Sequence, residues 1–254
     1  MRRVMRTIIV AAAAVLLPAA ASGQSYRSTC ADCHFARPEA PAQDHLFNWE
    51  HSPHGRNNVG CEKCHGGNAT TFEILLAHRG LLPASSSKSP INRRNLPSTC
   101  GGCHVGPFVA FQESRHYQLL ESGKEHGPTC STCHETVGGR LLSPKALEAR
   151  CASCHGVNEI APRAGRAQAA RQAYDRLAAL RLDLRAAQGS IKKIADPARR
   201  TTLLDAYGQA EVPMIRAVNA GHRFVYDDLL EYVAVAQKRV DGLLLLIDSE
   251  QAGR

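Results

Sequence analysis

The ten cysteines of this chain fall into one pattern repeated five times, Cys-x-x-Cys-His: Cys30/Cys33/His34, Cys61/Cys64/His65, Cys100/Cys103/His104, Cys130/Cys133/His134 and Cys151/Cys154/His155. None lies outside the pattern, so no thiol remains for a disulfide, a nucleophile or a separate metal site. Two cysteines at this spacing can each form a thioether to one edge of a porphyrin, and the adjoining imidazole then lies beneath the iron. Structural zinc could use paired Cys-x-x-Cys, and a redox-active dithiol could use a single one. Neither needs a histidine directly after the second cysteine, and here all five copies have one. The expected cofactors are therefore five covalently bound c-type haems, attached through the ten cysteines and ligated by the five motif histidines.

The sixth ligand decides what such irons can do, because a haem ligated on both faces passes electrons and an open face can bind substrate. Seven histidines lie outside the motifs, His45, His51, His54, His78, His116, His126 and His222, and five would complete bis-histidine ligation. His54 in Ser52-Pro53-His54 and His116 in Ser114-Arg115-His116 share a context ahead of a motif, and His78 lies midway between the second and third. These three, with His126 and His222, form the expected distal set. His45 and His51 fit less well, and His51 stands close enough to His54 to compete with it.

The elements that must position these residues divide the chain in two. Motif starts at 30, 61, 100, 130 and 151 leave too few residues to enclose each porphyrin separately, so the haems must share walls. Prolines and glycines such as Pro83, Pro90, Pro97, Gly66 and Gly67 predict a loop-rich frame with short helices at the motifs and no strands. Residues 24–158 are thus expected to form the pentahaem domain, and residues 159–254 a helical bundle. Three helices are predicted there: 164–188 ending at Gly189 and Ser190, one starting at Asp196-Pro197 and kinked or bounded at Pro213, and 226–248. Their apolar stripes are Ala173, Leu177, Leu180, Leu184, Ala187; Leu203, Tyr207, Ala210, Met214, Ala217; and Leu229, Leu230, Val233, Val240, Leu243, Leu244, Ile247. The fold class expected is all-α, a multihaem cytochrome c domain followed by an antiparallel helical bundle. His222, the lone tail histidine, would lock that bundle onto a haem.

Arg2, Arg3 and Arg6 followed by the apolar run to Ala21 read as a secretory signal peptide, residues 1–23. Cleavage after Gly23 is preferred over Ala21, and the run is too short for a spanning helix of about 20 apolar residues. A periplasmic or secreted protein, not integral to the membrane, is expected. The formal charge of +8 does not point to nucleic acid. Three of those charges belong to the leader, and each oxidised haem brings roughly −1 from iron, porphyrin and propionates.

Residues 50–155 carry Ser-x-His before Cys-x-x-Cys-His-Gly-Gly, then Ala-His-x-Gly, Cys-Gly-x-Cys-His and a second Ser-x-His. In this they resemble the periplasmic multihaem c-type cytochromes, with a likeness extending into the tail. That resemblance implies distal-ligand roles for His54, His78 and His116. The chain departs from the related pentahaem nitrite reductases, whose catalytic haem is bound by lysine at the motif histidine position. The function expected is an electron carrier working between redox partner proteins. The alternatives are a reductase or oxidase of small nitrogen or sulfur compounds with one five-coordinate haem, or a homo-oligomeric extracellular conduit.

Overall fold

The computed structural model describes residues 28–37, 39, 43–123, 127–135, 142–159 and 165–252. The predicted leader, 1–23, and His126 lie outside them. Among the described residues every regular element is a helix. Ten short ones precede the tail: α1 (Thr29–Phe35), α2 (Gln43–Glu50), α3 (Pro53–Arg56), α4 (Glu62–His65), α5 (Ile74–Ala77), α6 (Leu96–Gly101), α7 (Val105–Gln112), α8 (Arg115–Glu121), α9 (Cys130–His134) and α10 (Pro144–His155). Three long ones follow: α11 (Arg166–Ile191), α12 (Pro197–Arg223) and α13 (Tyr226–Ala252).

The long helices pack on one another through short connections, which makes successive neighbours antiparallel. Their seam is a continuous core running from Ala173 through Leu177, Leu180 and Leu184 to Val240, Leu243 and Ile247. The stripe predicted for α11 is buried throughout; in α13, Leu230 departs from its stripe and is exposed, and Ala236 is buried in the seam. Asp196 caps α12 by accepting from the Ala198 N–H at 2.9 Å, with Pro197 at the first helical position.

Two predicted boundaries are corrected. α11 continues through Gly189 and Ser190 to Ile191, because Ile191 and Ile194 are both buried in the core and hold the last turn down. Pro213 does not bound α12 either. A proline costs its own i−4 hydrogen bond, worth about 3 kcal/mol in an isolated helix. Here Pro213 is itself buried beside Met214 and Ala217, and packing against α13, α11 and α7 carries the helix through.

The other half has almost no apolar interior. Among the described residues before α11, the buried hydrophobic ones are Ala31, Leu46, Ala69, Ala110, Phe111 and Leu120, while Phe72 and Leu75 are 62% and 81% exposed. Burial of apolar area is the main force holding a domain together. The described side chains of this half contribute little of that burial. The tail is clipped to it by α12 against α7, by Arg171 to Glu148 at 2.7 Å and by Arg223 to Glu113 at 3.6 Å.

Candidate haem sites

Cysteines three apart on a helix lie on one face, and a histidine at the fourth position stands beside them. α1, α9 and α10 contain their motifs whole, with His134 and His155 as last residues of their helices. In the second motif Cys61 is the N-cap of α4. The third bends between helices: α6 ends at Gly101 and His104 is the N-cap of α7, yet the His104 N–H still reaches the Cys100 carbonyl at 2.8 Å. A Cβ on Gly101 would meet the Phe108 ring at 2.4 Å, so glycine is what lets α7 close on α6.

All ten cysteines are free thiols, and they are not equally enclosed. Cys103 is exposed, because it falls in the turn between α6 and α7 and not on a helix, whereas the other nine are half-buried. Cys33 lies inside α1 and Cys154 inside α10, where its Sγ stands 4.0 Å from the Ser153 hydroxyl. For Cys33, Cys103 and Cys154 the structure adds nothing to the motif that marks them as attachment points, and the expected thioether role of these three rests on spacing alone.

Ser-x-His is a capping device. Ser52 and Ser114 are the N-caps of α3 and α8, accepting from the Gly55 and Tyr117 N–H groups at 3.1 and 3.0 Å. Both serines are buried, and each places its histidine at the second helical position. His78 closes α5, and its Nδ1 meets the Ile74 carbonyl at 2.8 Å. The segment after His65 supports it. Asn68 N–H donates to the Ala77 carbonyl at 2.9 Å, and Gly67, at φ +82°, lies so close that a Cβ would meet that carbonyl at 2.7 Å. His222 sits in the last turn of α12, with Nδ1 at 2.8 Å from the Val218 carbonyl.

Each motif histidine faces one histidine from outside the motifs. The pairs and their ring-centroid separations are His34 and His78 at 6.1 Å, His65 and His45 at 5.9 Å, His104 and His54 at 5.9 Å, His155 and His116 at 5.8 Å, and His134 and His222 at 6.1 Å. With metal–nitrogen bonds of about 2.0–2.1 Å and a ring nitrogen roughly 1.1 Å from its centroid, two imidazoles sharing one ion stand about 6 Å apart. The interplanar angles run from 5° to 89°, as they can when both rings turn freely about a common axis. The residues thus fit bis-histidine haem. Among the described residues no group of three or more His, Cys, Asp or Glu side chains converges on a common point.

Four of the five expected distal histidines take part in these pairs: His54, His78, His116 and His222. The fifth place is taken by His45, which carries neither the Ser-x-His nor the Ala-His-x-Gly context. A usable signal was the sole tryptophan one turn later, since the Trp49 indole donates to the Val59 carbonyl at 2.9 Å and anchors α2. His51 instead packs on Phe47, with Nδ1 at 2.9 Å from the Phe47 carbonyl.

Burial lowers the imidazole pKa at His65, His134 and His116, and the facing histidine adds to it each time. His116 is lowered to about 4. A lowered pKa favours the neutral imidazole, which is the ligating form. Cysteines of successive motifs are also neighbours. Burial pushes Cys61 up to about 11, with Cys30 the second cause, and Cys133 up to about 11, with Cys151 the second. Burial likewise raises Cys64, and after it come Cys100 and Cys103 of the next motif. Cys100 is lowered to about 7 by a hydrogen bond from Cys130.

Residues 85–156 match the family Cytochrome c7 and related cytochrome c, and residues 11–66 match Cytochrome c554 and c-prime. The chain belongs to the multihaem c-type cytochromes. Among curated proteins it is similar to the C-type polyheme cytochrome OmcB of Geobacter sulfurreducens, strains DL-1/KN400 and ATCC 51573/DSM 12127/PCA. The identity is 35% over 126 residues, 46% of this chain and 14% of that protein, so the match spans only about one seventh of OmcB. No solved structure matches. Both family matches end by residue 156, and the helical tail lies outside them.

Proposed function

We propose that the chain is a pentahaem electron carrier with every iron held between two imidazoles. The observation that carries this reading is the set of five pairs, one for each motif, spanning only 5.8 to 6.1 Å. When bound, c-type haem supplies a one-electron ferric/ferrous couple. The protein fixes each ring pair, favours the neutral imidazole by burial at His65, His116 and His134, and crowds the five motifs together so that neighbouring sites share walls. Cys100 against Cys130, and Cys133 beside Cys151, bring the edges of successive sites close. The poverty of apolar interior before α11 supports the same reading, because porphyrin faces would supply the missing core. A porphyrin joined to Cys103 would have one edge toward solvent, where a partner protein could exchange electrons with it.

A histidine opposite every motif histidine favours transfer between redox partner proteins over small-molecule turnover. The predicted leader supports a periplasmic or secreted site of action. No helix among the described residues is long and apolar enough to cross a membrane. The test is the mass of the mature holoprotein with its ferric spectrum. The proposal expects five haem increments, low-spin irons throughout and no binding of carbon monoxide after reduction. Fewer increments, or an iron that takes carbon monoxide at once, would overturn it.

A further inference from the structure

His116 is held differently from the other distal histidines whose hydrogen bonds are visible. His78 and His222 each direct Nδ1 at the carbonyl four residues earlier, 2.8 Å away. Such a bond fixes the ring's rotation and makes the other nitrogen a stronger donor to iron. His116, at the second position of α8, has no such bond, and its Nδ1 is buried without a hydrogen-bond partner among the described residues. The His116 ring instead stands edge-on to Phe224, centroids 4.1 Å apart at 80°. Phe224 is braced by Phe111 at 6.3 Å, and Phe111 by Tyr117 at 5.6 Å.

The backbone of Phe224 is the second observation. It caps α12 in the left-handed conformation, φ +59°, ψ 30°, with its N–H directed at the Ala220 and Gly221 carbonyls. Glycine is the usual residue at such a cap; Phe224 is 46% exposed, and the covered part of its ring faces His116 and Phe111. A phenylalanine here makes sense if the ring has a task.

We propose that Phe224 is a positioning residue for the site of His155 and His116, fixing by packing a distal imidazole that no hydrogen bond orients, so that this site has a higher reduction potential than those of His78 and His222. The inference rests on the bis-histidine reading above. An imidazole with no acceptor at Nδ1 gives less electron density to ferric iron, and the ferrous form is favoured in comparison. The site is thereby a resting place for electrons at the end of the motif series, and α12 clamps two sites at once, one through His222 and the other through Phe224.

The test uses the full-length holoprotein, with haems counted by mass, electron paramagnetic resonance of the ferric state and a spectroelectrochemical titration. His116→Ala identifies the signal of this site by converting one haem to high spin. Phe224→Gly keeps the left-handed cap, which glycine adopts freely, and removes only the ring. The expected result is a shifted or partly high-spin signal at that same haem, with a lower midpoint potential as water reaches Nδ1. Phe224→Asn, also tolerant of the cap conformation, does the same, and Phe224→Tyr restores the wild-type signal. Unchanged signal and midpoint in Phe224→Gly, beside a clear effect of His116→Ala, would overturn the role of Phe224 alone. Five low-spin haems in His116→Ala would overturn the ligand assignment, and this proposal with it.

Discussion

At the scale of single residues, the pairs separate histidines that look alike in sequence. His45 and His51 both lie in the stretch before Ser52, but only His45 faces a motif histidine. His45→Ala should therefore leave one haem five-coordinate, seen as a high-spin ferric signal, while His51→Ala leaves the spectrum unaltered. Gly67→Ala should be more costly than its size suggests. It combines a positive φ with a Cβ 2.7 Å from the Ala77 carbonyl, about 1–3 kcal/mol of strain, and should lower the thermal midpoint while loosening His78. Motif histidines can be read directly because covalent attachment fixes their neighbours in the chain. The histidines that face them come from remote segments, and a local pattern points to those only where it also builds a cap, as Ser52 and Ser114 do. His45 has no such pattern. The cysteines show the reverse case: at Cys33, Cys103 and Cys154 spacing says more than the fold does, since a thioether needs reach to a vinyl group and not burial.

At the scale of elements, the tail was legible because its stripes recur at intervals of three and four, and those stripes are the buried seam. What could not be read was where packing overrides local preference, at Gly189 and at Pro213, and in α13 that Ala236 takes the place in the seam that Leu230 leaves. Leu180 is almost wholly buried in that seam, and Leu180→Ala should cost about 2–5 kcal/mol in chemical unfolding. Tyr174 joins α11 to α12, standing where a Cβ on Gly221 would collide with its hydroxyl. Burial raises Tyr174 to about 12, with the nearby Cys151 and Cys133 as lesser causes. A tyrosine whose folded pKa lies above its unfolded value of about 10 contributes stability that is complete below pH 10 and lost as pH rises toward 12. Alkaline unfolding of the tail should show that loss between those limits, and Tyr174→Phe should remove it.

At the scale of the whole molecule, the two halves are stabilised by different means. The tail buries aliphatic side chains, and the motif-bearing half has only a handful of buried hydrophobic residues among those described. Chain expressed without haem attachment should therefore keep a cooperative helical transition from α11 to α13, while residues 28–159 lose protection from amide hydrogen exchange. The facing pairs also have a topology of their own. His34 with His78, His45 with His65 and His54 with His104 interlock within one stretch, and His116 with His155 and His134 with His222 interlock within another. No pair crosses α7. With an iron held in each facing pair, as proposed, the polypeptide would be laced into two separate knots of ligand loops, each shrinking the freedom of its unfolded chain as a set of staples would. Pulled from its ends, such a molecule should peel away α13, which lies beyond the last loop, and part between the knots at the unlaced span from Val105 to Arg115, with each knot surviving the parting.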